Sequence, residues 1–167
     1  MPTGRPPTAG RPSPLKDMPM YAPSALPDPL NHAEFYDGVT VKRGLAWIVD
    51  VILVSLITAG VVVATFLTGL FILPAIFLAV DFLYRWVSLA RKSATPGMRL
   101  MGILFLDRDG QRLDTGTALL HTIGYYLSGL TFLAQVLSIG LMFLSARGQG
   151  LTDHILGTVA INRPARM

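Results

Sequence analysis

The chain has 167 residues, of which 51% are hydrophobic and only 14% are charged, and its mean hydropathy is +0.51. A soluble domain normally carries about 25% charged residues, so this composition argues against one and predicts insertion in a lipid bilayer. The net charge of +4 fits basic residues that flank apolar spans, and no motif predicts nucleic-acid binding. Because cysteine is absent and the three histidines are scattered, no metal site and no cofactor is predicted.

The first 34 residues are rich in proline, with glycine, serine and threonine between. Proline at this density cannot maintain helical or ladder hydrogen bonds, so residues 1–34 are predicted to be a disordered cytoplasmic tail. A solvated tether is favoured over a segment that docks in an aromatic groove. Residues 164–167 are predicted to form a short second tail, which leaves residues 35–163 as one transmembrane domain.

Two apolar stretches at about 44–66 and 70–90 are each long enough to cross a bilayer. They are predicted to form a helical hairpin with a tight turn at Thr68-Gly69. Lys42-Arg43 and Arg91-Lys92 mark the outer ends of this hairpin. Because basic residues favour the cytoplasmic side, both ends of the hairpin and the N-terminus are predicted to be cytoplasmic.

A third apolar region at about 118–145 fits either one tilted span or two shorter helices folded back, and Thr115 or Thr117 is expected to cap it. A short strand is predicted at 101–106, before an Asp-Gly turn, and residues 157–161 also have strand character. Pairing of these two strands needs both on one face of the membrane, which favours the folded-back hairpin and a cytoplasmic C-terminus. Three spans with the C-terminus outside is the alternative. The predicted fold class is therefore an all-α membrane protein with a transmembrane helical hairpin, a third hydrophobic helical region and a short cytoplasmic β-ribbon.

Four ionisable residues fall inside the predicted hairpin: Asp50, Asp81, Tyr84 and Arg85. A charge in hydrocarbon is costly, so each must have a partner, lie in a wet cavity or lose its charge. Asp81 and Arg85 are one helical turn apart. Depth counting places Arg85 level with Asp50 in an antiparallel hairpin, so we expect an Asp50–Arg85 bridge with Asp81 as a third member. The alternative is that the Arg85 side chain extends to the membrane interface instead.

Three blocks of sequence together resemble the RDD family of membrane proteins. The first is Val-Lys-Arg-Gly-Leu-Ala-Trp-Ile-Val-Asp at 41–50, the second is Thr-Pro-Gly-Met-Arg-Leu-Met-Gly-Ile at 95–103, and the third is Gly-Leu-Thr-Asp-His-Ile-Leu-Gly-Thr-Val at 150–159. The resemblance covers roughly residues 35–163. It implies that the family's one arginine and two aspartates are Arg43, Asp50 and Asp153. It also marks a cytoplasmic motif consisting of Thr95, Pro96, Gly97, Arg99, Gly102, Gly157 and Thr158. The chain departs from the family pattern at His121, where members often have arginine, and at Asp153-His154, which stands for His-Asp.

The resemblance implies a fold more firmly than a function, because the family has no settled activity. It suggests transport of a small ligand, or cation–proton exchange at a protonatable Asp50–Asp81 site. The alternative is that these carboxylates only fasten helices together, in an accessory or assembly subunit of a larger membrane complex. Asp153 is expected either to cap a helix or to contact Arg99. No nucleophile–base constellation is present, so an enzyme is not predicted. The expected location is the bacterial inner membrane, as a multi-pass protein that acts as a homo-oligomer or within a larger complex.

Overall fold

The computed structural model describes residues 26–163, so residues 1–25 and 164–167, with most of both predicted tails, lie outside the described part. The helices and strands of the described part follow one another in a single domain. The helices are α1 (Val39–Ala64), α2 (Leu73–Lys92), α3 (Pro96–Leu100), α4 (Thr115–Leu130), α5 (Phe132–Leu144) and α6 (Leu151–Leu156), and the strands are β1 (Ile103–Leu106) and β2 (Val159–Asn162).

The predicted transmembrane hairpin is confirmed as α1 and α2. Helical segments over Ala33–Ala64 and Thr68–Lys92 are long and apolar enough to cross a membrane. The reversal between them lies at 65–67, slightly before the predicted turn, where Phe66 and Leu67 adopt positive φ angles of 51° and 64°. Pro74 lies in the first turn of α2, where its missing N–H costs no helical hydrogen bond.

The third apolar region is two helices folded back on each other, since α4 and α5 meet at an angle of 117° around Thr131. The start of α4 lies beside the C-terminal half of α2, where Trp86 Nε1 donates to the Thr115 carbonyl oxygen at 3.3 Å. The end of α5 returns to the start of α1, where Thr40 Oγ1 donates to the Met142 carbonyl oxygen at 2.9 Å. The region therefore enters and leaves at one end of the hairpin, and the three-span alternative is not the arrangement found.

Asp114, and not Thr115 or Thr117, caps α4. Its side chain accepts hydrogen bonds from the backbone N–H groups of Gly116 and Thr117 at 2.6 and 2.9 Å. Both threonines lie inside the first turn, so the predicted cap was wrong by one residue. Aspartate is the stronger choice at this position because its charge also suits the positive end of the helix dipole.

The predicted pairing of the two short strands is confirmed. β1 and β2 are antiparallel, with Ile103 opposite Asn162 and Leu106 opposite Val159. The apolar side chains of both strands are buried in the main hydrophobic cluster, which also contains Val39 at the start of α1. This β-ribbon thus lies at the end of the hairpin where α1 begins and α2 ends.

The ordered domain extends further toward the N-terminus than residue 35. Leu26 is buried in the main hydrophobic cluster, and the Tyr36 hydroxyl donates to the Pro27 carbonyl oxygen at 2.7 Å. Backbone hydrogen bonds also close turns within 28–37. The described structure thus begins nine residues before the predicted domain boundary at residue 35, with Leu26 packed in the hydrophobic cluster.

Candidate functional site

Asp50 binds the N-terminus of α3. Its carboxylate is almost fully buried and accepts hydrogen bonds from Thr95 Oγ1 at 2.6 Å, the Gly97 backbone N–H at 2.8 Å and the Tyr84 hydroxyl at 2.7 Å. Thr95 is the N-cap of α3, and Pro96 follows in its first turn. Free N–H groups at a helix N-terminus attract negative charge, so the Thr-Pro-Gly segment serves as a carboxylate-binding site for α1.

Only glycine fits at position 97. A β-carbon added there would collide with the Ala46 carbonyl oxygen and would lie 2.7 Å from Asp50 Oδ1. The absence of a side chain lets α3 approach the backbone of α1 closely. The glycine of this motif thus holds two helices in contact and leaves its N–H free to donate to Asp50.

The predicted Asp50–Arg85 bridge is wrong. Arg85 Nε instead lies 3.1 Å from both Asp81 oxygens, and the residue of α2 that reaches Asp50 is Tyr84. Depth counting gave the correct level in the hairpin. It did not give the direction around the helix, which changes by about 100° from one residue to the next.

Asp153 connects four parts of the chain. It is 1% exposed, and Arg43 Nη1 donates to it at 2.5 Å, His121 Nε2 at 2.9 Å, Thr158 Oγ1 at 3.1 Å and the Gly150 N–H at 2.9 Å. These donors come from α1, α4, the segment after α6 and the N-terminus of α6. The expected capping role is found in a different position, since Asp153 is the third residue of α6 and accepts from the N–H of the N-cap residue Gly150. The expected contact with Arg99 is wrong, because the cationic partner of Asp153 is Arg43.

Opposing effects act on the protonation of Asp153. Burial acts to raise the pKa of this carboxyl, but the Arg43 charge and the His121 hydrogen bond outweigh burial and hold the pKa well below its usual range. Asp153 is therefore an ionised partner of Arg43 at neutral pH. The Arg43 guanidinium also lies 5.0 Å from the centre of the Phe105 ring and donates to the Gly148 carbonyl oxygen at 3.2 Å.

The remaining motif residues shape the backbone around these contacts. Gly102 and Gly157 have φ angles of 70° and 71°, which favour glycine. The Gly102 carbonyl oxygen accepts from the Arg163 N–H at 2.7 Å, and Gly157 ends α6. Arg99, in the last turn of α3, is exposed.

The predicted Asp81–Arg85 pair is confirmed and gains two aromatic partners from α4. The Tyr126 hydroxyl donates to Asp81 Oδ2 at 2.6 Å, and the Arg85 guanidinium lies 4.1 Å from the centre of the Tyr125 ring. Only Nε of Arg85 reaches Asp81, and Nη2 is buried without a hydrogen-bond partner among the described residues. An unsatisfied buried donor of a charged group costs on the order of 1–3 kcal/mol or more. Sequence reasoning missed both tyrosines, although tyrosine inside an apolar helix commonly uses its hydroxyl as a polar contact.

A cavity of about 660 Å³, open on one side, lies between α1 and the helices α4, α5 and α6, with α2 and α3 closing one end of it. Its lining is mostly apolar, but each of the three polar clusters contributes to its wall. The contributing residues are Asp50 and Thr95, then Arg43, His121 and Asp153, then Arg85 and Tyr125. Trp47, also in the wall, donates from Nε1 to the Tyr125 hydroxyl at 2.9 Å and so links α1 to α4. A cavity of this kind, apolar with a few convergent polar groups, is typical of small-molecule sites.

Among residues 26–163, no group of three or more His, Cys, Asp or Glu side chains is placed to hold a metal ion. The sequence could not reveal the cavity, because its size depends on how far the helices diverge.

Comparison with known proteins agrees with the resemblance seen in the sequence blocks. The model of the RDD family matches residues 38–157, which include the first two blocks, most of the third and all of the residues that line the cavity. No curated protein and no solved structure matches the chain.

Proposed function

Because the chain belongs to the RDD family and its three polar clusters border one cavity, we propose that it transports a small ligand that binds in that cavity. The observation that carries this proposal is the cavity itself, whose volume of about 660 Å³ lies in the range of sites for small organic molecules. Its wall combines apolar surface with buried charged groups. The ligand it suits is therefore amphipathic, and we propose no catalytic chemistry.

The geometry favours this form of transport over cation–proton exchange at a joint Asp50–Asp81 site. The two carboxylates lie in separate clusters, and each has its own donors from neighbouring segments. Asp50 borders the cavity, but three donors already surround its carboxylate. A cation would have to displace hydrogen bonds that hold α3 against α1.

The binding part of the proposal is tested by filling the cavity. Gly44 borders it, and a β-carbon at Gly44 would meet nothing within 4 Å, so Gly44→Phe places a ring in the cavity without a backbone clash. Gly60, on the same helix but outside the wall, is equally open and supplies the control Gly60→Phe. The probe is N-phenyl-1-naphthylamine, a neutral ligand whose binding quenches Trp47 by energy transfer. The chain's other tryptophan, Trp86, is replaced by Phe throughout.

We expect saturable quenching in the reference protein and in Gly60→Phe, and its loss in Gly44→Phe. Transport is then measured in proteoliposomes as the slow fluorescence rise when 1-anilinonaphthalene-8-sulfonate, added outside, reaches the inner leaflet. Entry should be faster with the reference protein than with Gly44→Phe. Equal quenching in all three proteins would overturn the cavity as a ligand site. Normal binding with no faster entry than in protein-free liposomes would overturn transport.

A second candidate function is a non-catalytic accessory subunit of a larger membrane complex. It is favoured by the way Asp50 and Asp153 are used, since each carboxylate joins separate segments through three or four donors. Purification of the tagged protein in mild detergent tests it. A partner that co-purifies in fixed stoichiometry from both the reference and the Gly44→Phe strain would support the accessory role, and a homo-oligomer alone would argue against it.

We also propose that the end of the molecule carrying the β-ribbon faces the cytoplasm of a bacterium, across its inner membrane. Support comes from Lys42, Arg43, Arg91 and Lys92, which all lie at the hairpin end where the β-ribbon packs. Since the natural chain lacks cysteine, single variants can report sidedness. A membrane-impermeant maleimide added to spheroplasts should label Thr68→Cys and spare Asp109→Cys, both at exposed positions. The reverse pattern would overturn this orientation.

A further inference from the structure

We infer that the ligand of the interhelical cavity carries an anionic group, a carboxylate, sulfonate or phosphate, which binds the guanidinium of Arg85. This inference rests on the proposed function, because it names the chemical class of the ligand in the same cavity. It follows from a difference among the charged side chains of the wall, because Arg85 alone among those described has a buried nitrogen without a hydrogen-bond partner.

Arg85 is a buried cation with unused donors. It is 8% exposed and borders the cavity. Its Nε is shared between both oxygens of Asp81, which leaves the two terminal nitrogens outside that pair. Nη2 is buried with no partner among residues 26–163. An arginine guanidinium commonly binds a carboxylate through two parallel N–H bonds, and here only Nε is used. Nη2 is covered by neighbouring atoms, so a ligand's acceptor reaches it after a small movement of the side chain toward the cavity.

The Arg85 side chain is also restrained before any ligand binds. Its guanidinium lies 4.1 Å from the centre of the Tyr125 ring, and Tyr125 is held by the hydrogen bond from Trp47. Stacking on an aromatic face limits the rotamers of the arginine side chain, so less entropy is lost when an anion binds. All three residues belong to the cavity wall, so the apolar part of a ligand would lie against the same aromatic surface.

The other charged side chains of the wall all have hydrogen-bond partners, and within residues 26–163 none of them has a buried nitrogen or oxygen left without one. Arg43 and His121 both donate to Asp153, and Arg43 also donates to the Gly148 carbonyl oxygen. The carboxylates of Asp50 and Asp153 accept three and four hydrogen bonds, so a cationic ligand would meet acceptors that already have donors. Among the charged wall residues of the described part, the free hydrogen-bonding capacity is therefore cationic.

The test uses two probes that share an aromatic skeleton and differ in one charge. 1-Anilinonaphthalene-8-sulfonate has a sulfonate that N-phenyl-1-naphthylamine lacks, and both quench Trp47 in the Trp86→Phe background. Titrations are made in a nonionic detergent with three proteins: the reference, Arg85→Met and Asp81→Asn. The Asp81→Asn variant keeps an acceptor for the Tyr126 hydroxyl but removes the carboxylate that competes with a ligand for Arg85.

We expect Arg85→Met to weaken sulfonate binding tenfold or more, since it removes a charge-assisted hydrogen bond, and to change the affinity for the neutral probe less than about twofold. We expect Asp81→Asn to strengthen sulfonate binding about threefold or more. A purely structural ion pair predicts the opposite for Asp81→Asn, because either single change would disturb the site. If Arg85→Met misfolds, Asp81→Asn alone decides, since weaker or unchanged sulfonate binding would overturn the inference.

Failure of the inference and failure of the proposed function give different results. If neither probe shows quenching sensitive to Gly44→Phe, the cavity does not bind ligands. If the neutral probe binds but Arg85→Met does not weaken sulfonate binding, the cavity is still a ligand site and the inference of an anionic group is wrong. Competition with decanesulfonate and decanol repeats the comparison without aromatic rings, and equal displacement by both would also contradict an anion site. Displacement by phosphatidylglycerol as well as decanesulfonate would identify a lipid headgroup as the source of the anion, and displacement by decanesulfonate alone would identify a free amphiphilic acid.

Discussion

Two arginine–aspartate pairs with buried carboxylates border or approach the same cavity, yet they are built differently. Arg43 and Asp153 lie near opposite ends of the domain's sequence, and Asp153 accepts a hydrogen bond from each of four segments. Asp81 and Arg85 lie one turn apart on α2, and Nη2 of Arg85 has no partner among the described residues. A fully satisfied network between segments specifies how a chain folds. A pair on one helix that leaves a buried donor unsatisfied contributes less, even though Tyr125 and Tyr126 connect this one to α4. The difference indicates that the first pair is architectural and that the second is available to a ligand.

The largest effect that would test this comparison is expected from Arg43→Met. It leaves Asp153 as a buried charge whose remaining donors are uncharged groups and His121, and breaking such a pair costs roughly 3–5 kcal/mol. The free energy of unfolding, measured by denaturant titration in one detergent, should fall by that amount. The double variant Arg43→Met with Asp153→Asn should recover part of this loss, since it leaves no unpaired carboxylate at this site. A single variant that unfolds like the wild type would contradict the architectural role.

A smaller effect on the same side of the comparison is expected from Gly97→Ala. The added methyl group collides with the Ala46 carbonyl oxygen and crowds Asp50, so α3 must move away from α1. Overpacking of this kind costs roughly 1–3 kcal/mol. Gly44→Ala is the matched control, because its β-carbon meets nothing within 4 Å and alanine is the better helix former by about 1 kcal/mol. Thermal unfolding should therefore shift down for the first variant and slightly up for the second; equal shifts would count against the close approach at Gly97.

The sequence was informative where a residue's role depends on residues close to it in the sequence. Apolar run lengths gave the hairpin, and strand character at 101–106 and 157–161 gave the β-ribbon. Similarity to family motifs marked Arg43, Asp50 and Asp153 as a set. The i,i+4 spacing gave the Asp81–Arg85 pair.

The sequence could not predict which side chains of distant segments would contact each other. Arg43 and Asp153 are 110 positions apart, and nothing local connects them. At Asp50, which of Tyr84 and Arg85 faces α1 depends on the rotation of α2 about its axis, and not on how deep each residue lies in the membrane. The cavity follows from helix divergence, for which no residue pattern was available.

The pH dependence of stability gives a third test. Its effect on the free energy of unfolding should be smaller than that of Arg43→Met, because protonation of Asp153 removes only part of what the pair contributes. The folded-state pKa of Asp153 is depressed, so its ionised form stabilises the protein above the unfolded-state pKa, which is about 3.9. That contribution is lost as pH falls from about 4 toward the lower folded-state pKa. The difference in unfolding free energy between wild type and Asp153→Asn should be constant from pH 7 to 5 and should shrink below pH 4. A difference that grows at low pH would contradict a depressed pKa.

The smallest effect is expected from the double variant Asp81→Asn with Arg85→Met. Replacing a buried ion pair by uncharged residues is often neutral or stabilising, because the desolvation of both charges is no longer incurred. Here the replacement also removes a buried donor that has no partner, and the amide oxygen of the introduced asparagine would still accept from Tyr126. We expect an unfolding free energy within about 1 kcal/mol of the wild type, together with loss of the preference for the sulfonate probe. The corresponding change at the other pair, Arg43→Met with Asp153→Asn, should remain destabilising, since Asp153 accepts from three further donors. If both double variants lose the same stability, the two pairs are equally architectural, and the reason for assigning Arg85 to a ligand disappears.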